Sequence, residues 1–444
     1  MAHTSGRGGA SGRGGASGRG GARARRRRLV AAVAALTLGA VTACGGDEGG
    51  EPDALQLWIM DGTNPDAGPY VEALQAEFEE RTGVALDVQF IQWADAHDRI
   101  TTAMAGGELP DVAEIGTTWA PEFGAAGALA DLAPRIEEDG LADDLVPGLY
   151  DAGTVDGATY GMPWYAGVRS LIYRADVFAE HSLEPPTTWD ELRDVGLALR
   201  ELEPDMIPFP VSGGGEYGLD PFIWGAGGDV AEPDGEGGWR STVNEPEAIE
   251  GIEFYTSLAT EHGLSVAAAE TWLETDQLES FQNGEAAMVI NGNWTIATLL
   301  EADPSWADRI GVVPIPGRDG GFSPSFVGGS LLGDFNSSEP DLAWELITLM
   351  STGEFAASWA EQSGYFPGQQ SLLEEVQERD DPLVAPFAQQ MSEAGANLPV
   401  TEKYGAIQGE QVLPRMLQAI LSGEATVREA ADEAAAAMDE TFAG

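Results

Sequence analysis

Phe281-Gln282-Asn283-Gly284-Glu285-Ala286-Ala287-Met288 is the stretch on which the fold class turns. Residues 271–282 have helical composition. Asn283-Gly284 then offers the left-handed backbone that stops a helix, and residues 286–290 form an apolar run of strand length. A helix that passes at once into a buried strand is the joint of an α/β sheet. The same joint recurs outward from here. Residues 55–60 (LQLWIM) read as a buried strand, and an amphipathic helix near 69–82 is stopped by Gly83. Residues 84–91 (VALDVQFI) alternate as a second strand, a helix over 94–105 closes at Gly106-Gly107, and 110–115 make a third strand. This β-α-β-α-β order predicts a parallel sheet with helices on both faces, and ligands of such sheets lie beyond the carboxyl ends of the strands. Further on, 171–173 are strand-like, and Thr188-Trp189-Asp190-Glu191 is a capping box behind Pro185-Pro186. Residues 248–260, 342–350, 412–421 and 426–438 read as helices.

The first 53 residues have a different composition. Residues 5–22 repeat Ser-Gly-Arg-Gly-Gly-Ala three times, residues 23–28 carry five arginines, and 29–41 form an apolar run. That run is short for a bilayer span and suits the hydrophobic part of a signal peptide. It ends Val41-Thr42-Ala43-Cys44-Gly45-Gly46, which resembles the lipobox of bacterial lipoproteins. The resemblance implies cleavage after residue 43, diacylglyceride on Cys44 and a polar tether over 44–53. Arg-Gly-Gly repeats also occur in RNA-binding segments, but the export signal accounts for more of this stretch.

Several motifs carry a wider resemblance. FQNGEAAM (281–288) is similar to the F-x-x-G-x-A-A-M signature of family 1 extracellular solute-binding proteins, the group that includes maltose-binding protein. In the family's order come Gly107-Glu108-Leu109-Pro110-Asp111-Val112, Asp156-Gly157 with Tyr160-Gly161-Met162-Pro163-Trp164, residues 171–178 (LIYRADVF), residues 186–192 (PTTWDEL), Gly328-Gly329-Ser330 and Ser363-Gly364-Tyr365-Phe366-Pro367. Ala158 stands where the family usually has Lys. The resemblance covers the chain from about residue 54 onward. It implies a type II, periplasmic-binding-protein-like α/β fold of two lobes, each a mainly parallel sheet flanked by helices, with crossed hinge connections. Lobe one would be 54–163 plus 315–362, and lobe two 166–313 plus 365–440. The protein would act as a monomer outside the cytoplasm, anchored to the membrane by lipid, and would hand a sugar or oligosaccharide to an ABC permease.

A sugar has polar edges and apolar C–H faces, so its site calls for aromatic rings beside Asp, Glu, Asn and Arg. Trp294, after Asn293, leads the candidates, because the resemblance implies that the tryptophan at this position stacks on sugar. Asp61 follows the first strand, Trp93 and Asp95 the second, Thr118 and Trp119 the third. Trp164, Tyr165 and Arg169 flank the first crossover. Trp224 precedes a Gly-rich turn, and Gly329 beside Gly328 gives either backbone access to the ligand or a turn. Tyr365 and Arg415 complete the set. The bland readings are that Asp61 caps the next turn, that Asp95 helps to cap a helix and that Trp119 packs its lobe. Trp189, Trp344 and Trp359 sit in helical patterns and are expected to be core.

Charge narrows the partners. The formal net charge is -52, and eight arginines precede Cys44, so the chain from there on carries 14 basic against 74 acidic residues, or -60. Such a surface repels nucleic acid. It also keeps a second reading open, a polyamine or other cationic solute. Cys44 is the single cysteine and the four histidines have no ligand spacing, so no metal or cofactor is expected. A secreted glycoside hydrolase with paired carboxylates is a remote alternative. No nucleophile elbow, P-loop or His-metal motif accompanies it.

Overall fold

The computed structural model describes residues 54–62, 66–155, 157–235, 237–379 and 381–444. The export segment, Cys44, the tether and Asp156 lie outside the described residues. Thirteen strands occur among the described residues: β1 Ala54–Asp61, β2 Ala85–Gln92, β3 Val112–Gly116, β4 Thr154–Val155, β5 Ala158–Thr159, β6 Met162–Arg174, β7 Ala231–Pro233, β8 Trp239–Ser241, β9 Met288–Gly292, β10 Ile310–Val313, β11 Ser325–Asp334, β12 Phe366–Pro367 and β13 Gly395–Ala396. Nine belong to one curled sheet with the path β10-β6-β11-β3-β1-β2, to which β9, β12 and β13 attach. The pairs β4-β5 and β7-β8 form two small separate hairpins.

The first three strands form as the sequence predicts. Alternation sends Leu55, Leu57 and Ile59 of β1 to one apolar cluster and Trp58 and Met60 to another, which is the pattern of a strand buried on both faces. Helix Gly68–Thr82 ends at Gly83 with φ 76°, and helix Trp93–Gly106 ends at Gly107 with φ 72°. Both turns need left-handed backbone that glycine adopts without steric cost. Thr188 caps helix Trp189–Leu202 by accepting from the Glu191 N–H at 3.1 Å, while Glu191 Oε2 accepts from the Thr187 N–H at 2.8 Å.

The expectation of a mainly parallel sheet in each lobe holds for one part only. The pairs β1-β2 and β1-β3 are parallel, with one helix between β1 and β2 and another between β2 and β3, and β11-β13 is also parallel. The pairs β3-β11, β11-β6, β12-β6, β6-β9 and β6-β10 are antiparallel. Strand direction alternates there, where distant parts of the chain return beside β6 and β11. A further parallel rung joins Ile207 to Ala286, but Pro208 and Pro210 have no N–H to extend it.

β6 is far longer than the three residues legible as a strand. Its amino-terminal half pairs with β11 through Val168, and its remainder, Arg169–Arg174, pairs with β9 and β10. A register shift lies opposite Pro163, where the ladder loses a donor. Beyond the sheet, a third apolar cluster gathers Trp189, Phe222, Ile252, Tyr255, Leu417 and Met438 from the helices of the later chain. Trp189, Trp344 and Trp359 are buried, as their helical settings predict. Among the described residues no helix is long and apolar enough to cross a membrane.

Candidate functional site

β1, β2 and β3 run in the same direction and finish at Asp61, Gln92 and Gly116. Backbone groups leave the ladder at these carboxyl ends, and a crevice forms beyond them. The three residues line a cavity of about 320 Å³, at the small end of the range of roughly 300–1,000 Å³ for small-molecule sites.

One wall is built by the helices that start from these ends. Trp93 and Trp119 are the first residues of helices Trp93–Gly106 and Trp119–Ala125, and their rings lie 5.6 Å apart. Thr118, just before Trp119, donates from Oγ1 to Gln408 Oε1 at 2.6 Å, and Gln408 Nε2 donates to Glu216 Oε1 at 2.6 Å. Burial pushes the Glu216 carboxyl up to about 7.

β6 supplies the facing wall. Strand periodicity of two puts Tyr165, Gly167 and Arg169 on the cavity side. The Arg169 guanidinium gives two hydrogen bonds of 2.8 Å to the Glu274 carboxylate. It lies over the rings of Tyr217 at 4.2 Å, Trp294 at 4.9 Å and Phe326 at 5.7 Å. Burial works against its charge, but Glu274 more than offsets this and holds the Arg169 pKa above its ordinary value. Tyr365 links the aromatic groups, 4.1 Å from Tyr165 and 4.9 Å from Trp294 between centroids. Beneath the floor, the fully buried Glu114 on β3 accepts from the Met60 N–H at 2.6 Å and from the hydroxyls of Tyr165 and Ser330.

Of the residues singled out in the sequence, Asp61, Trp93, Thr118, Trp119, Tyr165, Arg169, Trp294, Gly329 and Tyr365 all border this one cavity. The others lie elsewhere. Trp164 does not line the cavity; it is fully buried, with its ring 5.0 Å from Trp359 and in edge contact with Tyr165 at 4.9 Å between centroids. Asn293 is buried and structural, accepting from the Val168 N–H and donating to the Gly364 carbonyl. Trp224 donates to Asp229 at 3.0 Å and packs on the later apolar cluster. Asp95 is exposed in the first turn of its helix, and Arg415 is exposed on helix Val412–Leu421. Gly328 and Gly329 are neither a turn nor a loop but lie in β11, where a Cβ on Gly329 would sit 2.2 Å from the Tyr165 carbonyl oxygen.

Tyr217, Glu274, Phe326 and Ser330 also line the cavity without having been singled out. The run Gly213-Gly214-Gly215 was the signal for Tyr217, because a Cβ on Gly213 or Gly214 would strike the backbone of residues 270–272. Glu274 has no local signal, since its partner Arg169 lies 105 residues away.

Comparison with known proteins matches this arrangement. The profile of the bacterial extracellular solute-binding protein family matches residues 61–356. The diacetylchitobiose-binding protein of Streptomyces coelicolor is 26% identical over 415 residues, 90% of this chain and 95% of that protein. The maltotriose-binding protein of Pyrococcus abyssi is 26% identical over 349 residues, 76% of this chain and 72% of that one. Among solved structures, an ABC transporter solute-binding protein of Thermotoga lettingae bound with α-D-tagatose superposes with a TM-score of 0.80 at 25% identity, covering 88% of this chain and all of that one. The sugar-binding protein MalE of Xanthomonas citri gives 0.72 at 26% identity, over 88% and 97%. With a match across most of the folded chain, a shared two-lobed fold and a cavity at the strand ends, this chain belongs to the bacterial extracellular solute-binding protein family.

Proposed function

We propose that this chain is the lipid-anchored solute-binding component of an ABC importer, and that its solute is a mono- or short oligosaccharide held in the cavity beyond β1, β2 and β3. One observation carries the reading. Aromatic rings flank the space on both sides, Trp93 and Trp119 on one and Tyr217, Trp294 and Phe326 on the other, while the charge of Arg169 is taken up by Glu274. Apolar faces with balanced polar groups suit a neutral solute that has C–H faces and hydroxyl edges. Relatives that bind diacetylchitobiose and maltotriose support the same class.

A cationic solute would need carboxylates without a cation of their own. Of the two cavity carboxylates among the described residues, Glu274 is paired with Arg169, which leaves Asp61 alone at the rim. The lobes divide at 54–163 plus 315–362 and 166–313 plus 365–440, a boundary supported by the exchange of partners along β6 near Val168. Closure of the lobes on solute is then the state that the permease recognises. The lipobox at Cys44 supports a membrane anchor on the outer face.

The test is a thermal-shift screen of the soluble protein from residue 45 onward against mono- and oligosaccharides, with polyamines alongside. A ligand that binds only the folded state raises Tm, by about 2.7 kcal/mol of stability at a hundredfold excess over Kd. A shift with one saccharide group is expected. A shift with polyamines alone would overturn the saccharide reading.

A further inference from the structure

Glu114 is the most unusual group beneath the cavity. Its carboxylate joins four neighbouring strands: it projects from β3, takes the Met60 N–H of β1 on Oε2, and takes the hydroxyls of Ser330 on β11 and Tyr165 on β6 on Oε1. The register explains the meeting. Gly116, Ser330 and Tyr165 stand side by side across β3, β11 and β6. The β1-β3 pairing spans only Leu57↔Val112 and Trp58↔Ala113, so Met60 is left to a side chain. Ser330 and Tyr165 both line the cavity, and Glu114 does not.

We infer that Glu114 is a positioning residue that sets the hydrogen-bond polarity of the cavity floor, turning both hydroxyl protons away from the solute so that the solute must donate there. This inference rests on the saccharide reading above. The argument is a proton count. An ionised carboxylate has no proton and only accepts. Each hydroxyl has one proton, and both protons are directed at Glu114 Oε1. What the Tyr165 and Ser330 oxygens retain for the solute is lone pairs. A sugar hydroxyl or an acetamido N–H satisfies such a floor, whereas an ether or carbonyl oxygen leaves it unpaired, which is costly in a buried site.

The same geometry makes the polarity switchable. Burial pushes the Glu114 carboxyl up to about 7, against the pull of its three hydrogen bonds. Once protonated, it holds a proton of its own to donate, which releases one of the two hydroxyls from the carboxyl and frees that hydroxyl's proton for a solute. A solute that donates to the floor favours the ionised form, so its affinity rises with pH. Few charged groups face Glu114 from the neighbouring elements. Asp61 ends β1, Tyr165 on β6 is held well above its ordinary pKa by burial, β12 follows Tyr365, and Arg169 further along β6 is paired with Glu274. Glu216, behind Gln408 and also pushed up to about 7, is the competing titration and serves as the control.

The experiment is calorimetric titration of the soluble protein with N,N′-diacetylchitobiose and with maltotriose from pH 5.5 to 8.5, for wild type, E114Q and E216Q. If binding lowers the Glu114 pKa by about one unit, wild-type affinity rises about tenfold across this range. E114Q is expected to bind more weakly at pH 8.5 and to lose the pH dependence, and E216Q to keep it. A pH dependence that survives in E114Q, or its absence from wild type, overturns the inference. A series of monofluorinated maltoses on wild type needs no variant, because fluorine removes the donated proton. One member should lose most affinity at pH 8.5, and equal binding by all overturns the inference. If wild type binds no saccharide, the saccharide reading fails by itself. The inference is then decided on the free protein by infrared difference between wild type and E114Q. A carboxyl band titrating near 7 together with a shift of the tyrosine C–O band supports it, and an unchanged tyrosine band refutes it.

Discussion

Glu274→Gln tests whether the ion pair at the cavity wall holds the structure together. The substitution keeps the shape of the side chain and removes the charge that balances Arg169. The pair is bidentate at 2.8 Å, and the side chains are 8% and 19% exposed. Breaking a buried pair from one side costs about 3–5 kcal/mol, chiefly because the remaining charge stays buried without compensation. Gln can still accept one guanidinium N–H, and the rings of Tyr217, Trp294 and Phe326 remain beneath the cation, so the cost falls around and below the lower end of this range, at about 2–4 kcal/mol. Unfolding entropy is about 2 cal/mol/K per residue, so in a body of this size each kcal/mol moves Tm by about 1–1.5 °C. Calorimetry should therefore record a fall of about 3–5 °C. The double variant R169M/E274M, which removes both charges at similar volume, should recover most of it. A melt of E274Q within 1 °C of wild type, or a double variant less stable than E274Q, would refute the reasoning.

Three further outcomes are expected. Trp119→Ala should weaken saccharide binding on the order of tenfold with little loss of stability, since its ring is only partly buried, whereas Trp294→Ala should lose both affinity and about 3–5 kcal/mol of stability; equal melting temperatures for the two would contradict this. Glu114 and Glu216 are raised to about 7 from an ordinary 4.5, so the folded state binds more protons than the unfolded one between these values. The Glu114 contribution, on the order of 3 kcal/mol, is present below about pH 4.5 and lost as pH rises through 7, and Glu216 acts in the same direction; melts at pH 5.5 should lie above those at pH 8, and the reverse order would sink the assignment. Gly329→Ala would bring a Cβ to 2.2 Å from the Tyr165 carbonyl oxygen, so β6 and β11 must separate, and a loss of about 1–3 kcal/mol with weakened binding is expected in urea melts.

The parts of the fold legible in the sequence are those fixed by neighbours in the chain. Gly83, Gly107 and Thr188 end or start helices through contacts within a few residues, and β1 to β3 carry their own apolar patterns. β6 escaped for a physical reason. Eleven consecutive residues from Met162 are buried, so alternation is erased, and Pro163 reads as a strand breaker until the bulge opposite it is seen. The cavity was legible where residues follow strand ends, as for Asp61, Trp93 and Trp119. Period two, applied to β6, would also have separated Tyr165 and Arg169 from Trp164. Glu274 and Phe326 reach the cavity through tertiary packing, for which the linear pattern has no signature, whereas Tyr217 is marked only indirectly, by the glycine run before it. Asp95 follows a strand end and Trp224 precedes a Gly-rich turn, yet Asp95 and Arg415 face solvent and Trp224 packs on the later apolar cluster. Position in the chain does not set the direction of a side chain.

β6 also has a mechanical consequence. One continuous strand serves β11 along its first half and β9 and β10 along the rest, so it works as a shaft between two assemblies. In the proposed closure, rotation of one assembly against the other would become torsion about the peptide units near Gly167. A Cβ there would meet the Trp294 ring at 2.6 Å, so this point of the shaft bears directly on an aromatic plate of the cavity. Tyr165 and Arg169 project from either side of that point. Under the proposed closure, torque on the shaft and grip on the solute are one motion, and stiffening residues 166–168 would change how tightly the solute is held without touching it.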